Sequence, residues 1–236
     1  MREMATDRPD VTESAYTLDA GHFQIETDLH KTIRNKQGGL TSMENYYNLA
    51  NVKLGLTNST DFQVVLNSYQ EIGAKSLGAK SFEGSFFNDV TLRIKQNLWG
   101  NKGGKTALSI LPFVNLPSKE DSRADGGVIF PLAVELSDKW NFGAQAEFDL
   151  TKNEDNKKYH GEILNSFTVN RELSKKLEGF LESFYTYSFG DKSFELYGDA
   201  GLIFSLSDNF KLDTGLNYGL TKGSDKVYFV GLSFRY

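Results

Sequence analysis

The chain has 236 residues, a formal charge of −5, 22 Gly, 4 Pro and no Cys. The missing Cys excludes a disulfide framework, a thiolate metal site and a cysteine nucleophile, and a pI near 5.3 argues against a basic face for nucleic acid. Mean hydropathy is −0.42, and the longest near-apolar run, Gly126 to Val134, falls far short of the roughly 20 residues of a spanning helix.

The first residues, MREMATDRPD, carry no basic start, apolar core or small-residue cleavage site, so no export signal is expected within this chain. Residues 1–20 form a polar segment, and residues 21–236 then show a period of two, as strands with one apolar face do. In Gly21 to Ile33, Phe23, Ile25, Thr27, Leu29 and Ile33 share one face, and His22, Gln24, Glu26, Asp28 and His30 the other. The rhythm returns in Asn51 to Leu56, Asp61 to Tyr69 and Asp89 to Trp99, where Val90, Leu92 and Ile94 oppose Arg93 and Lys95. Lys105 to Leu116 and Gly127 to Leu136 follow with blurred parity. Trp140 to Leu150 sets Phe142, Ala144 and Phe148 against Gln145, Glu147 and Asp149. Glu162 to Asn170 and Leu177 to Tyr187 alternate more weakly, and Glu195 to Leu206, Phe210 to Leu220 and Val227 to Tyr236 complete about twelve strands.

Short turns at Thr57 to Thr60, Gly100 to Gly104, Ser137 to Lys139, Arg171 to Lys176 and Ser207 to Asn209 alternate with longer polar connections. The longer ones are Asn35 to Thr41, Glu71 to Ser85, Pro117 to Gly126, Thr151 to His160 and Phe189 to Ser193. An antiparallel chain with this asymmetry collects its short turns at one end, as outer-membrane barrels do with short periplasmic turns and longer extracellular loops. Alternation alone also fits a soluble barrel or a sandwich with apolar side chains inward. Three features favour apolar side chains outward: a densely charged polar face, aromatics near strand ends (Phe62, Trp99, Trp140, Phe148, Phe210, Tyr218, Tyr236), and strands of about ten residues. The expected fold is therefore all-β: a single closed antiparallel transmembrane β-barrel of about 12 strands.

The opening TDRPDVTES (6–14) and AGHFQIETDL (20–29) resemble the start of a bacterial outer-membrane family of phenol meta-pathway transporters. ILPFVNLP (110–117), GGVIFPLAVEL (126–136) and LDTGLNYGLT (212–221) resemble that family's strands. The signature falls on Thr6, Asp7, Arg8, Pro9, Asp10, Thr12, Glu13 and Ser14. The resemblance implies an outer-membrane barrel that moves small molecules, with aromatic or hydrophobic solutes suggested, and it brings no substrate residue. The final strand, alternating and ending on Tyr236, resembles the C-terminal signal read by the barrel-assembly machinery.

The expected lumen lining is Glu26, Asp28, Arg93, Lys95, Glu147, Asp149, Glu182, Asp199 and Asp213. Arg8, Asp10 and Glu13 would either plug this lumen or hang in the periplasm as a tail; both readings stay open. Pro112 and Pro131 sit inside neighbouring strands, where a closed barrel has no free edge for a missing N–H, so they mark either a bend or a lateral opening. His22 and His30 lie eight residues apart, roughly 26 Å along a strand at about 3.3 Å per residue, so they form no common site. No catalytic constellation, metal site or cofactor motif is expected, and GNKGGKT (100–106) lacks phosphate-loop spacing. The functional expectation is a narrow passive channel for small solutes, surrounded by outer-membrane lipid and lipopolysaccharide. The alternatives are a non-conducting structural or accessory subunit bound to other outer-membrane proteins and, third, an outer-membrane hydrolase.

Overall fold

The computed structural model describes residues 1–37, 39–76, 79–86, 89–118, 123–152 and 158–236. Thirteen strands follow one another without a helix among the described residues: β1 (Phe23–Gln37), β2 (Leu40–Thr57), β3 (Thr60–Ser76), β4 (Ala79–Phe86), β5 (Val90–Trp99), β6 (Thr106–Leu116), β7 (Asp125–Ser137), β8 (Trp140–Lys152), β9 (Tyr159–Ser174), β10 (Leu177–Ser188), β11 (Ser193–Ser207), β12 (Phe210–Gly219) and β13 (Lys226–Arg235). Each pairs antiparallel with its neighbours, and β1–β13, β2–β3 and β3–β5 pairings close a ring of twelve. Closure satisfies the backbone groups that an open sheet edge would leave bare in lipid.

The thirteenth strand corrects the expected connection Glu71 to Ser85. The chain continues β3 to Ser76 and returns as β4, which pairs only with the far part of β3, from Tyr69 to Ser76. β5 pairs with the near part, Thr60 to Leu66. The alternating sequence of this hairpin is Gly- and Ser-rich, without the apolar rhythm that marks the ring strands, so period two did not reveal it. Residues 38, 77–78, 119–122 and 153–157 of the expected long connections lie outside the described residues.

Parity sets the two faces. On β13, Tyr228, Val230, Leu232, Phe234 and Tyr236 point outward, while Val227, Phe229, Gly231, Ser233 and Arg235 are buried inward. Outward Leu181, Phe148, Leu150, Leu202 and Leu216 are all exposed, which is the apolar-out arrangement of a membrane barrel. Three strands place outward aromatics eight residues apart: Trp140 and Phe148, Phe210 and Tyr218, Tyr236 and Tyr228. That spacing is roughly 26 Å along a strand at about 3.3 Å per residue, or about 20 Å after a tilt of about 40°, close to the apolar band between aromatic girdles. At the short-turn end Phe23 lies 5.5 Å from Tyr236, ring centre to ring centre.

One bulge corrects the parity of the first strand. The pairing of β1 with β13 shifts between Asp28 and His30, so Lys31 and Ile33 sit opposite inward Phe229 and Val227. Ile33 therefore packs against the lumenal cluster of Phe180, Val227 and Phe229 rather than sharing the outward face of Phe23. His30 turns outward and stacks on Tyr47 at 5.0 Å. A one-residue slip moves every later side chain to the other face.

The prolines lie where the ladders skip. β5 and β6 pair on both sides of Pro112 but not at Ile94 and Lys95, and β6 and β7 skip Ser109 and Ile110 opposite Phe130 and Pro131. Pro112 is exposed on the outer face, Pro131 points inward, and the lumenal side of the skip is filled by Pro131, Ser109 and Leu111, the last two with no exposed surface. Each missing N–H thus falls at a local irregularity instead of inside a regular ladder.

Candidate functional site

Residues 2–19 enter the barrel at the short-turn end, turn within the lumen and return to the same rim before β1. Polar contacts trace the route. Arg2 is held at the rim by Asp19, Nε to Oδ1 2.5 Å, and Arg235 donates to its carbonyl at 2.9 Å. Lys211 donates to the Met4 carbonyl at 2.8 Å and Gln24 to that of Ala5 at 2.8 Å. The turn lies against Glu182, which accepts the Val11 and Thr12 amides at 2.7 and 2.8 Å, and Gln145 accepts the Glu13 amide at 2.7 Å. On the way back Asn97 and Ser109 donate to the Ala15 carbonyl at 2.8 and 2.6 Å, and Asp61 accepts the Leu18 amide at 2.9 Å. Glu182, which meets the turn, is the fifth residue beyond Leu177 at the short-turn end of β10, so the turn reaches roughly 16 Å along the strand at about 3.3 Å per residue.

Charge pairing between segment and wall is reciprocal. The segment's Arg8 donates Nη1 to Asp28 at 2.6 Å and Nη2 to Asp213 at 2.7 Å. Its Asp7 lies between Lys53 and Lys95, each at 2.5 Å, and Lys53 also pairs with Glu26. Glu13 pairs with Arg93 and lies 3.6 Å from Lys95. Asp28 and Asp213 both sit opposite Gly231 in the register, one on each side of β13. The guanidinium lies over that glycine: a Cβ there would meet Arg8 Nη2 at 2.1 Å. Only glycine leaves this slot between the two carboxylates.

Burial raises the Asp7 carboxyl, but Lys53 and Lys95 outweigh it and hold the group well below the ordinary carboxylate value of 3.8. Asp10 behaves oppositely, because burial and then the Glu182 charge push it well above that value, with Thr168 the opposing hydrogen-bond partner. Glu13 is likewise raised, chiefly by burial with Arg93 opposing, so the segment carries one acid gripped as an anion and two that sit badly as anions.

All nine expected lining residues point inward. Glu26, Asp28, Arg93, Lys95, Glu182 and Asp213 meet the segment, whereas Glu147 and Asp149 lie beyond its turn and Asp199 pairs across the ladder with Glu182. Sequence parity also marks Lys53, between outward Val52 and Leu54, and this residue binds the segment as strongly as any expected one. The inward apolar residues were less visible. Phe180, Phe184, Tyr197, Val227 and Phe229 are buried on the lumenal side, and Phe184 stacks on Tyr197 at 4.6 Å. β10, with Phe180 and Phe184 inward, has large side chains on both faces, which explains its weak alternation.

The family model described as "Putative MetA-pathway of phenol degradation" matches residues 6–236. The chain belongs to this family. No curated protein matches it by sequence. Among solved structures it is similar to an outer membrane channel from Pseudomonas putida F1, with 9% identity, TM-score 0.65, and 94% of this chain and 98% of that one covered. It is also similar to the NanC porin, with 11% identity, TM-score 0.59, and coverage of 89% and 98%. A third is the CymD monoaromatic hydrocarbon channel, with 9% identity, TM-score 0.50, and coverage of 92% and 88%. At these identities the likeness is one of fold: an outer-membrane β-barrel.

Proposed function

We propose that the chain is a passive outer-membrane channel for small solutes, with residues 1–20 acting as a plug of its periplasmic half. The observation that carries this reading is how the segment is held. It is held mainly by ion pairs and hydrogen bonds to a polar lumen wall, with Met4, Ala15 and Leu18 its buried apolar side chains, so no extended apolar core makes it permanent. The short-turn end is periplasmic by the asymmetry of the connections, and lipid and lipopolysaccharide cover the outer face. The family and the channel structures it resembles support the transport role, and the inward aromatic wall at Phe184 and Tyr197 gives an aromatic solute a surface to slide along.

The test is conductance of the refolded chain in planar bilayers beside a chain lacking residues 1–20. A larger conductance in the truncated chain supports the plug, and equal conductance refutes it. A barrel silent in both forms refutes the channel. The second reading, a non-conducting barrel in a larger outer-membrane assembly, is favoured by one observation: Gln63, Ser109 and Ser166 beside the segment have no exposed surface. A lateral path at Pro112 and Pro131 would have to displace Ser109 and Leu111, so transport that survives with the axial lumen cross-linked shut is its test.

A further inference from the structure

Inward charge is segregated around the ring. On β7 to β11 the inward positions carry Asp125, Glu147, Asp149, Glu162, Glu195 and Asp199, together with Glu178 and Glu182 nearer the short-turn end. Among the described residues, the Lys and Arg of these five strands are Lys152 and Arg171, both at outward positions. Three directly opposed pairs are of like charge, Asp149 with Glu162, Glu182 with Asp199 and Glu172 with Glu178. Such pairs destabilise a sheet, so stability of the wall does not account for them.

The rest of the ring is different, because the segment covers most of its inward bases, Lys31 opposite Phe229 being outside its contacts. Lys53 and Lys95 hold Asp7, Arg93 holds Glu13, and Lys211 and Arg235 hold the Met4 and Arg2 carbonyls. A cavity of about 520 Å³ runs beside the segment and reaches the other wall at Asn141, Gly143, Thr168, Asn170 and Glu178. Basic groups on its edge are already engaged, Arg8 with Asp28 and Asp213 and Lys53 with Asp7 and Glu26. Asp199 is 5% exposed, and both of its carboxylate oxygens lack a hydrogen-bond partner. Asp149 Oδ1 is likewise buried and unpartnered. One rung from Asp199 lies the stacked Phe184–Tyr197 pair, whose faces attract cations.

We propose that the lumen is selective for cations and takes small organic cations, an ammonium or amidinium on an apolar or aromatic body, along the β7–β11 wall. A low-dielectric channel lined by one sign of charge concentrates the opposite ion. The acids beyond the turn supply that sign, Asp199 with its two free oxygens is the deepest stop, and the adjacent rings accept the apolar body. This inference rests on the channel reading and names its solute class.

Reversal potentials of the full chain across a salt gradient test it, with KCl as the probe. The expected potassium-to-chloride permeability ratio is on the order of ten, and Glu147→Gln/Asp149→Asn/Glu162→Gln should bring it several-fold toward unity. Liposome swelling should admit benzyltrimethylammonium faster than benzoate. Asp199→Asn alone should reduce that preference, and heat-modifiable gel mobility verifies that each variant is a folded barrel. A conducting barrel with a ratio at or below one, or with a ratio unmoved by the triple variant, overturns the inference and leaves the channel standing. Absence of conductance, with or without residues 1–20, overturns both.

Discussion

Replacing Arg8 by Ala is the sharpest test of how the N-terminal segment is held. Its guanidinium lies between Asp28 and Asp213, whose side chains are only 8% and 2% exposed, and Phe229 presents its ring 5.8 Å from the guanidinium carbon. With Arg8 gone and the segment in place, two carboxylates are left buried without their cation. Removing one partner of a buried ion pair costs about 3–5 kcal/mol. The released state carries no such cost, because water reaches both acids once the segment withdraws. At about 1.4 kcal/mol per factor of ten, the docking equilibrium shifts roughly 10²- to 4 × 10³-fold toward release. Planar-bilayer recording should show a larger or more often open conductance. Brief digestion with proteinase K should trim residues 1–20 from the variant under conditions that leave the parent intact. A folded Arg8→Ala barrel with parental conductance and parental protease resistance would refute the reasoning.

Gly231→Ala should reproduce that phenotype with Arg8 unchanged, since a Cβ at this position would stand 2.1 Å from Nη2; parental protease resistance would show that the slot is not needed. Lys53→Met should loosen the segment less than Arg8→Ala in the same digestion assay, because Lys95 still holds Asp7 at 2.5 Å and Gln24 still donates to Glu26 at 2.7 Å. The pH dependence of opening follows from acids shifted in opposite directions, Asp7 downward and Asp10 and Glu13 upward. Asp7 gives its full contribution above the free value of 3.8 and loses it progressively as pH falls from there through the lowered value, so acidification that stays above 3.8 leaves it intact. Asp10, raised by burial and Glu182, favours docking when protonated and loses that contribution as pH rises through its raised value. Acidifying from neutral toward the ordinary carboxylate range should therefore lower the open fraction, and Asp10→Asn should flatten that response in the same recordings. Deleting Tyr236 removes two backbone hydrogen bonds to Phe23, at 2.9 and 3.0 Å, and should slow refolding into detergent micelles as followed by gel mobility.

Much of this architecture was legible before any coordinates, because a membrane barrel writes its two solvents into alternate residues. All twelve ring strands and the inward direction of Glu26, Arg93, Glu147 and Asp199 follow from parity, and the two ends of the barrel from the lengths of the connections. What stayed hidden depended on contacts across the ring or on breaks of period. His30 and Ile33 changed faces because of one bulge after Asp28, and a bulge has no compositional mark in this stretch. β4 lacked an apolar face to advertise it. The partners of Asp7 come from β2 and β5, which sequence distance does not bring together. The acidic wall was visible as single residues, but its one-sidedness appeared only when strand order placed β7 to β11 side by side.

Arg8 also acts on the barrel's own seam. β1 and β13 meet at the joint that closes the ring. Arg8 spans that joint, gripping Asp28 on β1 and Asp213 on β12 with β13 lying beneath the guanidinium at Gly231. It is a staple across three consecutive strands, set by a residue that leaves the ribosome before any of them. A barrel whose first residues fasten its final strand couples completion of the wall to occupation of the lumen. On the plug reading, the ring closes around a lumen that is already occupied.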